Sequence, residues 1–352
     1  MHVENPARPG RGRGVSNLRL RLAFAAGAIL VGLLALEVLT RVVFDRDGMH
    51  FGIEMWKYAK QVKRVSANPA IGHEHAPNRA AILMGVPVRT NALGLRDREF
   101  TLDKPAGVRR VLVLGDSMTF GWGAREEDSY PKVLERLLNG SGGPLEVVNA
   151  GVGNYNTAQE VAYFRERGIR LNPDEVILGF YINDAEPTPS EQTGLIARHS
   201  YFYVLAASGW DAFQRQRGWK ESFESYYRNL YAEESPGWRN ARNALKELSA
   251  MCRDARIRLR LVIIPELHAP GEAYAFRDIH GIVAAAARRE GIPVLDLVDA
   301  FGGVEPQSLW VSRGDAHPNA SAHRIIAAAL FKEMTGDAPT GGATVSSEGI
   351  EK

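Results

Sequence analysis

Residues 108–335 predict an α/β fold, one parallel sheet with helices on both faces. Short aliphatic runs recur at 109–116, 145–151, 174–184, 258–266 and 292–297, and their apolar stretches are continuous rather than alternating. That is the pattern of strands buried on both faces. Amphipathic stretches of helical period lie between them, so strand and helix alternate in βαβ units. The chain has 352 residues, 45% of them hydrophobic and 24% charged. It is long enough for a full core, and its composition excludes a collagen, a disordered tail protein or a disulfide scaffold.

Before that rhythm begins, residues 1–21 hold five arginines against Glu4, a balance of +4. The whole chain carries 43 basic and 41 acidic side chains, so the remainder is at −2. Leu22 to Leu36 then pass without a charge, and the apolar character resumes after Glu37. About 20 such residues span a hydrocarbon core of about 30 Å. Glu37 falls near the far end, where Arg41, four residues on, can pair with it. No small-x-small cleavage site follows the run, so a signal anchor over 22–44 is expected rather than a cleaved signal peptide. The clustered arginines place the N-terminus in the cytoplasm and the body on the extracytoplasmic, periplasmic side.

Residues 45–107 read as a linker with a small accessory β segment. His73 and His75 flank Glu74, but no third ligand stands at metal-binding spacing, so a solvated loop is expected there. The helical stretches of the body fall at 129–138, 157–168, 238–257, 273–290 and 320–334. Cys252, the single cysteine, excludes an intrachain disulfide and is read as an inert buried hydrophobe. An insertion at 185–235, rich in Tyr, Phe and Trp, follows the third strand; Tyr201, Phe202, Tyr203, Trp210, Tyr226 and Tyr227 are expected to pack on their own scaffold rather than line a sugar pocket. The tail 336–352 has the composition of a disordered segment.

In an open α/β sheet, ligands bind beyond the carboxyl ends of the strands. After the first strand comes Gly115-Asp116-Ser117, after the second Asn149-Ala150-Gly151-Val152-Gly153-Asn154, and after the third Tyr181-Ile182-Asn183-Asp184. Asp315-Ala316-His317-Pro318-Asn319 precedes the last helix. These types suit acyl transfer. A serine hydroxyl needs a base, His317 supplies an imidazole, and Asp315 could hold that ring in the right tautomer. The Ser117 and Gly151 backbone N–H groups and the Asn183 amide are candidate oxyanion donors. Singly each is weak, since Ser117 would also serve as a helix cap. All four in order, each at an expected strand end or its equivalent, are much harder to attribute to chance. His268 follows the fourth strand and could line a pocket or sit idle in its loop, while His323 reads as a packing residue of the last helix.

These blocks resemble the SGNH (GDSL) hydrolase superfamily over roughly 108–335. The resemblance implies a flavodoxin-like three-layer α/β/α sandwich with a five-stranded parallel sheet, esterase chemistry and no cofactor. It implies catalysis by Ser117, His317 and Asp315, with an oxyanion hole from Ser117, Gly151 and Asn183. Two departures stand out. Tyr181 holds the usual glycine place of the third block, and Asp315 lies two residues before His317 instead of three, with Gly314 at the usual aspartate place. A backbone carbonyl holding His317 is the alternative to Asp315.

The expected function is a membrane-tethered serine esterase acting on a carboxylic ester, with an O-acyl or O-acetyl group on a small molecule or glycan. The same triad would serve an O-acyltransferase on an envelope polysaccharide, and a silent glycan-binding module is the reading without chemistry. The mildly acidic body has no bulk attraction for nucleic acid or polyanions.

Overall fold

A computed structural model describes residues 13–46, 50–188, 199–271 and 274–336. The first 12 residues of the basic leader, part of the insertion and the tail beyond Gly336 lie outside them. Helix α1 (Arg13–Arg46) runs without a break from the leader through the apolar stretch. Its segment Leu18–Asp45, which holds an 18-residue stretch of mean hydropathy 2.4, is long and apolar enough to cross a membrane and fits membrane anchoring.

Helix α2 (Phe51–Gln61) follows, then strands β1 (Lys63–Val65), β2 (His73–His75), β3 (Ala80–Leu83) and β4 (Val86–Arg89). They form two antiparallel pairs, β1 with β2 and β3 with β4. The short strands match the sequence reading, whereas α2 does not appear in it. The solvated loop expected at His73 and His75 is corrected. Both lie on β2, and His75 is buried, its Nε2 2.5 Å from the Tyr58 hydroxyl.

The body then alternates as its hydrophobic pattern requires. It runs through β5 (Arg109–Gly115), α3 (Ser117–Phe120), α4 (Tyr130–Ser141), β6 (Leu145–Asn149), α5 (Thr157–Glu166) and β7 (Glu175–Phe180). The insertion supplies α6 (Tyr201–Gln216) and α7 (Phe223–Leu230). After it come α8 (Pro236–Asp254), β8 (Arg258–Ile263), α9 (Arg277–Arg289) and β9 (Val294–Asp296). A short antiparallel pair, β10 (Trp310–Ser312) and β11 (Asp315–Pro318), leads into α10 (Ala320–Thr335).

Five strands form one parallel sheet in the order β6-β5-β7-β8-β9. Alternate residues of each strand feed opposite cores, since strand side chains have a period of two. Leu112, Leu114, Val176, Leu178 and Leu261 pack with Phe164 of α5, Leu245 and Leu248 of α8 and Val283 of α9. Val111, Val113, Val147, Ile177 and Val262 pack with Leu134 of α4 and Ile326, Leu330 and Phe331 of α10. The result is the three-layer flavodoxin-like sandwich. Cys252 of α8 is buried in the first core, and burial pushes its thiol up to about 12.

The strand order reverses direction at β5, so the crevice beyond the ends of β5 and β7 is the topological switch point where such sheets bind ligands. A third core closes over it from outside the sheet: Tyr58, Val62, Leu83, Met84 and Val88 pack on Phe120 and Trp122.

Candidate active site

Ser117 begins α3 directly after β5, and Asn183 lies in the turn after β7. His317 comes from β11, which the hairpin with β10 holds in place. Asn319 fixes that hairpin. Its Oδ1 caps α10 by accepting from the N–H groups of Ser321 and Ala322, while its Nδ2 donates to the carbonyls of Ser308 and Trp310.

These elements bring the expected side chains together. His317 Nε2 lies 2.9 Å from Ser117 Oγ, and His317 Nδ1 lies 2.5 Å from Asp315 Oδ1. Because Asp315 and His317 stand two apart on one strand, their side chains share a face. That placement explains how an aspartate at −2 reaches the ring. Burial acts to raise the Asp315 carboxyl, but the bonds and charge of His317 and the Trp122 indole hold it below the usual value. An anionic Asp315 accepts Nδ1–H, which leaves the Nε2 lone pair facing Ser117.

Asp116 organises the other side. It is fully buried and accepts from Met118 N–H at 2.9 Å and Asn183 Nδ2 at 3.0 Å, with Ser117 Oγ 3.4 Å away. A carboxylate accepts only, so the contact fixes which end of the Asn183 amide faces it. One Nδ2 hydrogen is then engaged and the second is available. Among the described residues Ser117 N–H has no backbone or side-chain partner, so it too is available.

Gly151 N–H donates to Asn149 Oδ1 at 3.0 Å. The close approach that requires glycine is to the protein itself. A Cβ at 151 would stand 2.3 Å from Phe120 N and 2.7 Å from the Thr119 carbonyl carbon. Gly151 lets the loop after β6 lie against α3.

Two functional contacts were missed by sequence reasoning. Trp122 Nε1 donates to Asp315 Oδ2 at 2.9 Å, so both carboxylate oxygens are held. Phe51, from α2, stacks on His317 with ring centroids 5.7 Å apart and meets Trp122 edge-on at 6.2 Å. Neither is signalled by a motif.

A second network fixes the loop that follows Gly151. Gly153 N–H donates to Tyr58 Oη at 2.9 Å, Tyr58 donates to His75 Nε2, and His75 Nδ1 lies 3.2 Å from the Gly94 carbonyl. Lys63 Nζ reaches the Gly153 carbonyl and, at 3.0 Å, Asn154 Oδ1. Burial, with the Lys63 charge, brings His75 down to about 3 and keeps the ring neutral.

His268 and His323 make their bonds outside Ser117's relay. His268 bonds Glu266 and meets the Trp310 ring at 5.0 Å, on a cavity also lined by Phe223, Tyr274 and Phe276. His323 is buried and stacks on Tyr130, as a packing residue does. Among the insertion aromatics, Tyr201 and Tyr227 are buried, whereas Tyr203 and Trp210 are exposed.

The profile of the GDSL-like lipase/acylhydrolase family matches residues 113–325, well over half of the chain. No curated protein matches the sequence. Among solved structures, the chain is similar to an acetylxylan esterase from Geobacillus stearothermophilus at 18% identity, covering 64% of this chain and 94% of that one with a TM-score of 0.44. It is similar to a lipase/acylhydrolase from Enterococcus faecalis at 14% identity, covering 66% and 100% with a TM-score of 0.40. A two-domain esterase active on acetylated mannans matches at 15% identity over 68% of this chain and 53% of that one, TM-score 0.42. The chain belongs to the GDSL-like lipase/acylhydrolase family and is an ester-hydrolysing enzyme.

Proposed function

We propose that Ser117 is the nucleophile, His317 the general base and Asp315 the orienting acid of this esterase. The observation that carries the assignment is the continuous relay from Ser117 Oγ through His317 to Asp315, at 2.9 and 2.5 Å. Ser117 Oγ attacks the ester carbonyl while its proton passes to His317 Nε2. Asp315 stabilises the imidazolium that results. The oxyanion receives Ser117 N–H and the second Asn183 Nδ2 hydrogen, both preorganised by their backbone and by Asp116. His317 then returns the proton to the departing alcohol, and water resolves the acyl-enzyme by the same path. The acyl group is a small O-acyl or O-acetyl substituent. With α1 as a single-pass anchor, the basic leader remains cytoplasmic and the catalytic domain faces the periplasm. The near-neutral balance of the body suits an uncharged alcohol or glycan better than a polyanion.

Ser117→Ala should lower turnover of an aryl acetate by about 10⁴-fold or more with the fold unchanged by circular dichroism. A fluorophosphonate should label the native chain at Ser117. Undiminished turnover in the variant would exclude the assignment.

A further inference from the structure

We propose that α6 (Tyr201–Gln216) lies in the headgroup region of the bilayer that α1 crosses, and so holds the catalytic face against that bilayer. The ester taken is then carried by a bilayer-embedded amphiphile. The inference rests on the anchoring and esterase readings above and adds the surface that orients the domain.

Glu37 supplies the first observation. It closes the uncharged stretch of α1, and a carboxylate there needs donors. It accepts from Ser200 Oγ at 2.7 Å, from the backbone N–H groups of Tyr201 and Phe202 at 3.1 and 3.0 Å, and from Arg41 Nε at 2.7 Å. Arg41 also donates to the His199 carbonyl and lies over the Tyr201 ring. The first turn of α6 is therefore fixed to α1 at Glu37. From Leu22 to Glu37, α1 rises about 22 Å, most of the thickness of a hydrocarbon core of about 30 Å. Glu37 and the start of α6 then lie where hydrocarbon meets headgroups.

The exposed side of α6 fits that level. Tyr203, Ala206, Ala207 and Trp210 are exposed at helical spacing, and no charged residue occurs from Tyr201 to Trp210. Trp210 is 55% exposed and stacks on Phe213 at 5.5 Å. Trp219, 64% exposed, meets both rings edge-on. Such a patch is costly in water, whereas Trp and Tyr concentrate at membrane interfaces. The patch is fixed to α1, whose exposed apolar surface faces the hydrocarbon. Continuity with that surface makes the bilayer its occupant.

The catalytic relay lies on the same side. Helix α2 touches both: Trp56 meets Tyr201 edge-on at 5.0 Å, Lys57 Nζ donates to the Phe44 carbonyl of α1, and Phe51 stacks on His317. One 11-residue helix thus separates the end of the span from the catalytic imidazole.

The test uses the full chain reconstituted in phosphatidylcholine–phosphatidylglycerol vesicles, with the double variant Trp210→Ser/Trp219→Ser. Brominated lipid should quench the native tryptophan emission, and most of that quenching should be absent from the variant. Hydrolysis of the acetate ester of a long-chain fluorogenic alcohol embedded in the vesicle should fall about tenfold, with aryl acetate turnover unchanged. Equal quenching in the two proteins, or parallel loss on both esters, would overturn the proposal. Concentration-dependent self-association that the variant loses would also overturn it, by making the patch a contact between copies. Release of the native chain by carbonate would overturn the anchoring reading and this inference together. Absent aryl acetate turnover in the native chain would overturn the esterase reading and the embedded-ester claim that rests on it.

Discussion

Two regions build this site by different means. The residues from β5 to α10 place Ser117 and Asn183 just after strands of the parallel sheet and His317 on the β10–β11 hairpin, so the strands beside them set their spacing. The segment from Phe51 to Asp97 lies outside the family-matched range and brings packing and hydrogen bonds to the same residues from the front. Arg96, fully buried, donates to the carbonyls of Phe120, Gly121 and Ala124, the stretch that carries Trp122. Asp97 accepts from Lys132 and from Asn149 N–H. Within this chain, the sheet and the β10–β11 hairpin supply the reactive groups, and the front segment restricts where they can move.

The largest test of that division falls on the sheet side. Asp315→Asn should lower kcat for an aryl ester by about 10⁴-fold with KM little changed, because the neutral amide neither selects the tautomer nor stabilises the imidazolium. A loss smaller than tenfold would return the orienting role to a backbone carbonyl. On the front side, Arg96→Met should act first on stability. Three buried carbonyls would lose their donor, for about 3 kcal/mol or more in chemical denaturation. A variant as stable as the native chain would mean that those carbonyls find water.

Trp122→Phe probes the junction of the two regions. It keeps the ring in its core but removes the donor to Asp315 Oδ2. We expect about a tenfold fall in kcat and little change in melting temperature. A large loss of stability with kcat intact would make Trp122 a packing residue only.

The division also explains what could be read in the chain. Continuous aliphatic runs follow directly from burial on both sheet faces, so all five strands were legible, with ends up to a few residues too long, most at β7, β8 and β9. Ser117, Asn183 and His317 were legible because their positions depend on the strand beside them. Gly151 shows the limit. A glycine after a strand signals a close approach, but the approaching partner, here α3, is set by tertiary packing. Trp122 and Phe51 carry no local pattern at all, since an aromatic beside a turn or at a helix start reads the same whether or not it meets an imidazole. His75 could have been placed on a strand from the alternation with His73, but its burial depends on Tyr58 and Gly94, which are remote in sequence.

The smallest effect expected is in acid. His75 is held down to about 3 from its ordinary 6.5 by burial and by the charge of Lys63, and His73 behaves alike. His323, in the family-matched region, is also at about 3, chiefly through burial. An unfolded chain takes up a proton on each ring below about 6.5, while the folded chain refuses it until about 3. Each group therefore contributes stability that is fully present above 6.5 and is lost as the pH falls toward 3. Glutamine at 75 can still accept from Tyr58 and donate to Gly94, but it does not titrate. His75→Gln should make the fall of stability with acid shallower between pH 6.5 and 3, read by denaturant titrations at several pH values. If His323→Gln reduced the acid slope and His75→Gln did not, the sheet region rather than the front segment would set the acid limit.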